Sequence, residues 1–482
     1  MPQTNDLQNI LRTLKKNCPS EDLTDIKRAY EFAETAYGDR RRASGNKQIE
    51  HAADVATLLA EWKLSPDIVI AGLLHDILEY SVYSEDDIRQ KFGQKIARLI
   101  VGENRLDSLK YWGKERYAEN LRRMFMAMAE DVQIIFIKFA DRIDNLKTLS
   151  YLPPEKQQRL AMESMHIYAA IANRLGMDKI KRDLEDLSFF YLEPKEYEKI
   201  SEVVANYYKD DGKCMKTIES AMRESAKSAG IKILNIDNRI KSLYSLHEKY
   251  KTRNRDAKSV YDIAACRIIV PTISDCYAML GLIHRYWKPL PGRFKDYISQ
   301  PKPNGYRSLH TNVFCERKVV EFQVRTPEMH EEAEFGIAAH WVYKEKEKNI
   351  TENIRRRTAW LKELAEIQKE LKNNFSVPQT IRTVKIDLFR NRIFAVTPKG
   401  DVIDLPEDAT PIDFAYAIHA QLGNYFLKAK VNGKIEPITH PLKSNDVVEV
   451  FKSEKSTAKK SWLKIAVTRR ARNEIRDFLK MK

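Results

Sequence analysis

Cysteine is scarce in this chain, and what there is does not pair. The five residues (Cys18, Cys214, Cys266, Cys276, Cys315) are odd in number and none stands in a CxxC pair. This argues against a disulfide framework or a structural zinc site and points to a reducing compartment. No GxxxxGK[ST] string occurs, which excludes a P-loop enzyme. No apolar run approaches the roughly 20 residues that span a bilayer. The opening MPQTNDLQNILRTLKKN also lacks an apolar signal core. A cytoplasmic protein with no membrane partner is the expectation. Glycine, at 16 residues, is sparse and falls at the ends of pieces, and no internal repeat is present.

What remains is enough for several cores. The chain has 482 residues, of which 43% are hydrophobic, so about three domains are expected and global disorder is not. The formal net charge is +15, and residues 452–482 hold eleven Lys or Arg against three Asp or Glu. A tail of that charge suits a polyanion, nucleic acid before acidic lipid.

Periodicity divides the chain into a multidomain α+β protein. Residues 1–195 read as all-helical, with apolar residues at three-to-four spacing in IEHAADVATLLAEW and VQIIFIKFADRIDNLKTL. Residues 200–345 mix both periods and read as an α/β domain: ACRIIV and VVEFQVRT as strands, CYAMLGLIHRYW as a helix. Residues 346–382 read as a connecting helix, with Trp360, Leu364, Ile367 and Leu371 on one face. Residues 383–452 read as a small β-grasp module. In it, turns at Lys399-Gly400 and Asn432-Gly433 flank a helix that Thr410, Pro411 and Asp413 start and that ends near Gly423. Residues 453–482 are the basic tail.

Two constellations carry chemistry. His75 and Asp76 follow the apolar run Ile68–Leu74, Asp141 follows Ile134–Ala140, and His51 lies one helix earlier. Two imidazoles and two carboxylates suit a divalent transition ion such as Mn²⁺, Fe²⁺ or Zn²⁺. Asp141, Asn145 and Thr148 share a helical face, and Glu79, one turn after His75, is placed to orient a metal-activated water. The second constellation is the segment RFKDYISQPKPNGYRSLHT, Arg293 to Thr311, with four basic residues, two tyrosines, a glycine and a histidine. It reads as a nucleotide-binding loop, because cations grip phosphate, aromatic faces stack on bases and glycine lets backbone approach a ligand. In KVVEFQVRT the period of two puts Glu321, Gln323 and Arg325 on one face and Val320, Phe322 and Val324 on the other. Asp262 and Glu321 suit Mg²⁺ with substrate phosphates, and Arg239 and Lys241 add cations for phosphoryl-type transfer.

Long strings then carry a resemblance. LLHDILE, KFADRIDNLKTL, DCYAMLGLIHRYWKPLPGRFKDYISQPKPNGYRSLHT, EFQVRTPEMHEEAEFGIAAHW and TPKGDVIDLPEDATPIDFAYAIHAQLG resemble the RelA/SpoT homologue family of (p)ppGpp synthetase/hydrolases, over nearly the whole chain. The resemblance implies an all-α HD-type hydrolase domain, a nucleotidyltransferase-like α/β synthetase domain and a TGS domain. It implies transfer of pyrophosphate from ATP to the 3′ hydroxyl of GDP or GTP, and hydrolysis of the (p)ppGpp formed. It makes His51, His75, Asp76 and Asp141 the Mn²⁺ ligands, and Arg42, Ser44, Asn145 and Thr148 nucleotide contacts. It makes Asp262 and Glu321 the Mg²⁺ and catalytic carboxylates, with Glu321 helping to deprotonate the 3′ hydroxyl. Tyr306 is then the residue that stacks on guanine, and Arg239, Lys241, Lys295, Lys302, Asn304 and His310 contact nucleotide and phosphate. Arg293, Lys295 and Asp296 resemble the RxKD form of bifunctional members. His419 matches the position where the TGS domain meets the 3′ end of uncharged tRNA on the ribosome.

The departures bear on hydrolysis. Tyr80 stands where the family has a second acid, Ala43 where it often has a basic contact, and Asp144 and Ser242 each where a histidine is usual. A metal-binding but impaired hydrolase is the expectation. The alternatives are a synthetase with a vestigial hydrolase, or a non-catalytic ribosome- or tRNA-binding sensor.

Overall fold

The computed structural model describes residues 3–17, 23–107, 130–252, 264–302, 304–315, 318–339, 392–443, 446–453 and 457–480, with Met124, Ala127 and Met128. The connecting helix expected over 346–382 lies outside the described residues. Those up to Ala339 belong to one compact unit and those from Arg392 to a second.

The described residues of the first unit begin with a run of helices. Helix α1 (Gln48–Glu61) buries Ile49, Ala52, Val55, Ala56 and Leu59 on one side. Helix α2 (Pro66–Leu73) starts on a proline, whose missing N–H costs nothing in a first turn, and buries every residue from Ile68 to Leu73. The two helices meet at Gly72, where a Cβ would run into the Leu59 side chain. That close approach brings His75, three residues on, near His51. Helix α3 (Gln133–Lys147) is buried along nearly its whole length. After helix α4 (Pro154–Glu163), Ser164–Tyr168 widens into a π turn, and helix α5 (Asp178–Leu192) follows.

Helix α6 (Pro194–Ser228) then leads into a five-stranded sheet of order β1-β2-β5-β4-β3. Its strands are β1 (Asn235–Ile240), β2 (Ala264–Ile269), β3 (Lys295–Asp296), β4 (Leu309–Cys315) and β5 (Lys318–Arg325). Strand β2 runs parallel to β5 and the other pairs are antiparallel. Helices α7 (Leu243–Thr252) and α8 (Ile273–Tyr286) lie between strands in sequence, and α8 starts in a Thr272/Asp275 capping box. The period of two in β5 is realised: Val320, Phe322 and Val324 enter a core with Met279 and Ile283 of α8. Cys266, Cys276 and Cys315 are buried in that core.

Helix α9 (Pro327–Phe335) ties the sheet to the helices. Its Glu334 receives Arg182 of α5 at 2.8 Å and Arg267 of β2 at 2.7 Å. Its Glu331 pairs with Lys63, just beyond α1. The chain leaves α9 at Gly336 with φ of 55°, where a Cβ would strike the Leu175 carbonyl.

The second unit pairs β6 (Arg392–Val396) with β7 (Val402–Pro406), and β8 (Phe426–Val431) with both β9 (Lys434–Glu436) and β10 (Val448–Lys452). A parallel bridge from Val396 to Val447 joins the two sheets. Asn432 and Gly433, both at positive φ, make the β8–β9 turn. The Thr410/Asp413 capping box starts helix α10 (Pro411–Ile418), but the helix stops earlier than expected. His419 is extended, and a short helix α11 (Ala420–Asn424) begins after it, with His419 Nδ1 accepting from the Gln421 N–H. Helix α12 (Arg469–Lys480) packs Ala471 and Ile475 into this core.

Candidate active sites

Three segments of the helical part converge on one cavity of about 450 Å³. Helix α1 supplies His51 to its wall, the turn after α2 supplies Asp76, and α3 supplies Asp141; His75, from the same turn as Asp76, is buried beside them. His51 Nε2 lies 3.4 Å from Asp141 Oδ1 and 3.9 Å from Asp76 Oδ2. His75 Nε2 lies 3.4 Å from Asp76 Oδ2 and 3.8 Å from Asp141 Oδ1. The ligand atoms of His51, His75 and Asp141 all lie within 4.8 Å of one another. His75 Nδ1 is 2.8 Å from the Gly72 carbonyl, while its Nε2 is buried with no hydrogen-bond partner. An orphaned imidazole nitrogen beside two carboxylates fits a divalent ion.

The electrostatics agree. Burial opposes charge on His75, but Asp76, Glu103 and Asp141 outweigh it and raise its pKa to about 9. Burial likewise opposes ionising Asp141, yet Lys138 and the two imidazoles hold it well below the ordinary carboxylate range. Lys138 Nζ lies 2.8 Å from Asp141 Oδ2 and 3.1 Å from Glu103. Asn145 donates to Asp141 Oδ1 at 2.6 Å, and Gln48 donates to Asp76 Oδ2 at 2.6 Å.

The other residues expected here also line the cavity: Arg42, Ser44, Glu79, Asn145 and Thr148. Arg42 donates to Asn145 Oδ1 and lies 3.5 Å from Asp144. Tyr80 lines the wall under Arg40, whose guanidinium carbon is 3.9 Å from the ring centroid. Burial and the neighbouring Asp76 push the Tyr80 phenol above its ordinary range. Sequence reasoning did not single out Lys138, Gln48 or Arg40. The signal for the first two was present, since each stands three residues before a ligand on the same helix.

The polar face of the sheet forms a second cavity, of about 560 Å³. Glu321 on β5 sits between Ala265 of β2 and Asn312 of β4. Its Oε1 is 3.0 Å from His310 Nδ1 and its Oε2 is 2.7 Å from Lys241 Nζ. Burial alone would raise the Glu321 pKa, but His310 and Lys241 hold it well below the ordinary range. Burial lowers the His310 pKa, so the ring is neutral at pH 7, with Nδ1–H toward Glu321 and Nε2 accepting from the Tyr306 phenol at 2.7 Å. Burial also pushes Tyr306 up to about 12 and the Lys302 ammonium downward. Lys302 Nζ stands 4.8 Å from the ring centroids of both Tyr297 and Tyr306.

Arg293, Lys295, Lys302, Tyr306 and His310 of the basic loop line this cavity, with Lys241. Asn304 faces elsewhere: its Oδ1 accepts the Tyr306 backbone N–H at 3.2 Å and so shapes the loop. Arg239 pairs with Ala265 in the strand register, and its side chain lies outside the described residues. Asp262 also lies outside them, two residues before β2 begins. Asp178 and Arg182 of α5 line the cavity as well. They precede the sheet by more than fifty residues, and local pattern held no signal for them. In the second unit, His419 is exposed at the break between α10 and α11.

Comparison with known proteins places family matches along the chain. An HD domain matches residues 29–178, a region found in RelA / SpoT proteins matches 238–348, and a TGS domain matches 393–452. A GTP pyrophosphokinase of Myxococcus xanthus is 42% identical over 97% of this chain and 62% of its own length. A guanosine-3′,5′-bis(diphosphate) 3′-pyrophosphohydrolase of Aquifex aeolicus is 41% identical over 98% of this chain and 67% of its own length. The bifunctional (p)ppGpp synthase/hydrolase SpoT of Escherichia coli is 38% identical over 98% and 67%. The chain thus spans about two thirds of the length of these relatives, or slightly less. Among solved structures, the small alarmone synthetase 1 of Bacillus subtilis with its product pppGpp is 21% identical, covering 34% of this chain and 91% of that one, with a TM-score of 0.24. No helix among the described residues is long and apolar enough to cross a membrane.

Proposed function

Since this chain belongs to the RelA/SpoT family, we propose that it makes (p)ppGpp in the cavity on its sheet and hydrolyses it in the cavity among its helices. In synthesis the 3′ oxygen of GDP or GTP bonds to the β-phosphorus of ATP and gives up its proton to solvent, the bond from that phosphorus to the α–β bridging oxygen breaks, and AMP leaves with that oxygen. The observation that carries this reading is Glu321, an ionised and largely buried carboxylate flanked by Lys241 and His310 in a cavity lined with further cations and Tyr306.

Mg²⁺ bound to the ATP phosphates would neutralise their charge, and Glu321 offers one of the one or two carboxylates such an ion takes. A carboxylate held so far down is a weak base, so Glu321 is better suited to a cation than to the 3′ proton. Asp262 would be the second carboxylate. Lys241, Arg293, Lys295 and Lys302 oppose the charge that develops on the transferred group. The Tyr306 ring, fixed by its bond to His310, offers a face for guanine.

In the helical cavity, His51, His75, Asp76 and Asp141 would hold Mn²⁺. A divalent ion bound there would acidify a water and polarise the phosphate. Glu79, which lines the same cavity, would orient that water, and Arg42, Ser44, Asn145 and Thr148 would position the nucleotide. Tyr80 favours a second reading of this half, a slowed hydrolase, since a phenol pushed above its ordinary range stays protonated and cannot serve as a base. In the second unit, exposed His419 and the basic tail would meet uncharged tRNA on the ribosome, in the cytoplasm.

The test is direct. Purified protein with ATP, GDP and Mg²⁺ should yield AMP and ppGpp, and with ppGpp and Mn²⁺ should yield GDP and pyrophosphate, both resolved by anion-exchange chromatography. Absence of ppGpp from the first mixture would overturn the synthetase reading, and intact ppGpp in the second the hydrolase reading.

A further inference from the structure

His51 and His75 present the same nitrogen to the cluster but are anchored differently. An ionised carboxylate only accepts hydrogen bonds, and a neutral imidazole carries a single N–H. Asp144 Oδ2 lies 2.6 Å from His51 Nδ1, with the two side chains 5% and 3% exposed. The imidazole proton therefore belongs on Nδ1, and the Nε2 lone pair faces Asp141 and Asp76. His75 is held the same way round by a neutral backbone acceptor, the Gly72 carbonyl at 2.8 Å.

Asp144 stands three residues after Asp141 on α3, so one helical face offers a ligand and, one turn on, an anchor for another ligand. Its Oδ2 is also 3.5 Å from Arg42 Nη1. Arg42 sits in the loop closed by the Arg41–Lys47 bridge, which also carries Ser44. One carboxylate thus touches both a metal ligand and a residue expected to hold nucleotide. The family's usual histidine at this position would offer a single neutral acceptor nitrogen. Aspartate offers two anionic oxygens, enough to face His51 and Arg42 together.

We propose that Asp144 is a positioning residue of the metal centre, which fixes His51 as the Nδ1–H tautomer with Nε2 aimed at the ion. This rests on the reading of the helical cavity as a divalent metal site. Carboxylate partners of ligating histidines orient the ring and raise its basicity, and losing one weakens metal binding by about 10- to 100-fold.

The test measures Mn²⁺ affinity of the whole chain by titration calorimetry, and histidine tautomers by long-range ¹H–¹⁵N spectra of metal-free, ¹⁵N-histidine-labelled protein. Asp144→Ala should weaken Mn²⁺ by about 10- to 100-fold and shift the His51 signal, identified by its loss in His51→Ala, away from the Nδ1–H pattern. Asp144→Asn keeps an acceptor oxygen without the charge and should fall between native and alanine. It carries the test alone if the alanine variant does not fold. Native-like Mn²⁺ affinity and an unchanged tautomer in the Asp144 variants, with binding lost in His51→Ala, would overturn this proposal and leave the metal reading standing. Equal Mn²⁺ affinity of the native protein and His51→Ala would overturn the metal reading and this proposal with it.

Discussion

The phenol oxygen of Tyr306 lies 2.7 Å from Nε2 of His310, whose other nitrogen is 3.0 Å from the Glu321 carboxylate. One imidazole therefore sets both the aromatic wall and the charged centre of the sheet cavity. Glu321→Gln keeps the shape and removes the charge, and should slow pyrophosphate transfer by at least about 10²–10³-fold. Tyr306→Phe keeps the ring and loses one hydrogen bond of about 1 kcal/mol, so a loss of about fivefold is expected. His310→Ala should fall between them. Steady-state rates of AMP formation with GDP as acceptor decide it, and a Tyr306→Phe defect as deep as that of Glu321→Gln would refute this division of roles.

Tyr80 is held under the Arg40 guanidinium at 3.9 Å, in the wall of the helical cavity. If the phenol occupies the place of a useful acid, Tyr80→Asp should speed ppGpp hydrolysis by about tenfold or more, while Tyr80→Phe should leave it nearly unchanged. Both follow from Mn²⁺-dependent release of pyrophosphate. An unchanged or lower rate in Tyr80→Asp would count against the explanation, and a large loss in Tyr80→Phe would show that the hydroxyl itself takes part.

Glu334 is the ionic hinge-pin between α5, β2 and α9. Burial works against its charge, but Arg182, Arg325 and Arg267 lower its pKa from the ordinary 4.5 to about 2. The folded value lies below the unfolded one, so its stabilisation is complete above pH 4.5 and is lost as pH falls toward about 2. Such a shift corresponds to about 3 kcal/mol. Glu334→Gln should therefore cost about 2–3 kcal/mol at pH 7 and progressively less in acid. Urea unfolding of the native and variant proteins at pH 7 and pH 3 measures this, and a cost that does not shrink in acid would exclude it.

Much of this was legible in the sequence because it is local. The alternation in KVVEFQVRT gave Glu321 its face, and the apolar runs before His75 and Asp141 placed both at buried positions. The Thr410/Asp413 box and the Asn432-Gly433 turn are short-range hydrogen-bonding devices, and both are present. What was not legible depends on packing across long separations. Asp178 and Arg182 join the sheet cavity through tertiary packing, with α5 tied to α9 by Arg182 and Glu334 and to α7 by Asp186, which accepts the Tyr244 N–H at 2.9 Å. The break at His419 pits helix propensity against a side-chain cap on Gln421, and the cap wins. Asp144 reads in sequence as the loss of a histidine. Only the distance to His51 shows that it takes up an anchoring place.

Glu185, one turn after Lys181 on α5, should respond to pH in the sense opposite to Glu334. Burial pushes its carboxyl from the ordinary 4.5 up to about 7, and the Lys181 ammonium, 3.8 Å away, offsets only part of this. Here the folded value lies above the unfolded one. The contribution to stability is whole below pH 4.5 and is lost as pH rises through about 7, because the folded state must then bury a charge that the unfolded chain leaves in water. Glutamine mimics the protonated form. Glu185→Gln should thus change stability little at pH 5 and raise it by about 1–3 kcal/mol at pH 8.5. Denaturant unfolding at both pH values, followed by tryptophan fluorescence, tests the sign. An equal gain at the two pH values, or a larger one at pH 5, would mean that the burial of Glu185 does not carry the cost assigned to it.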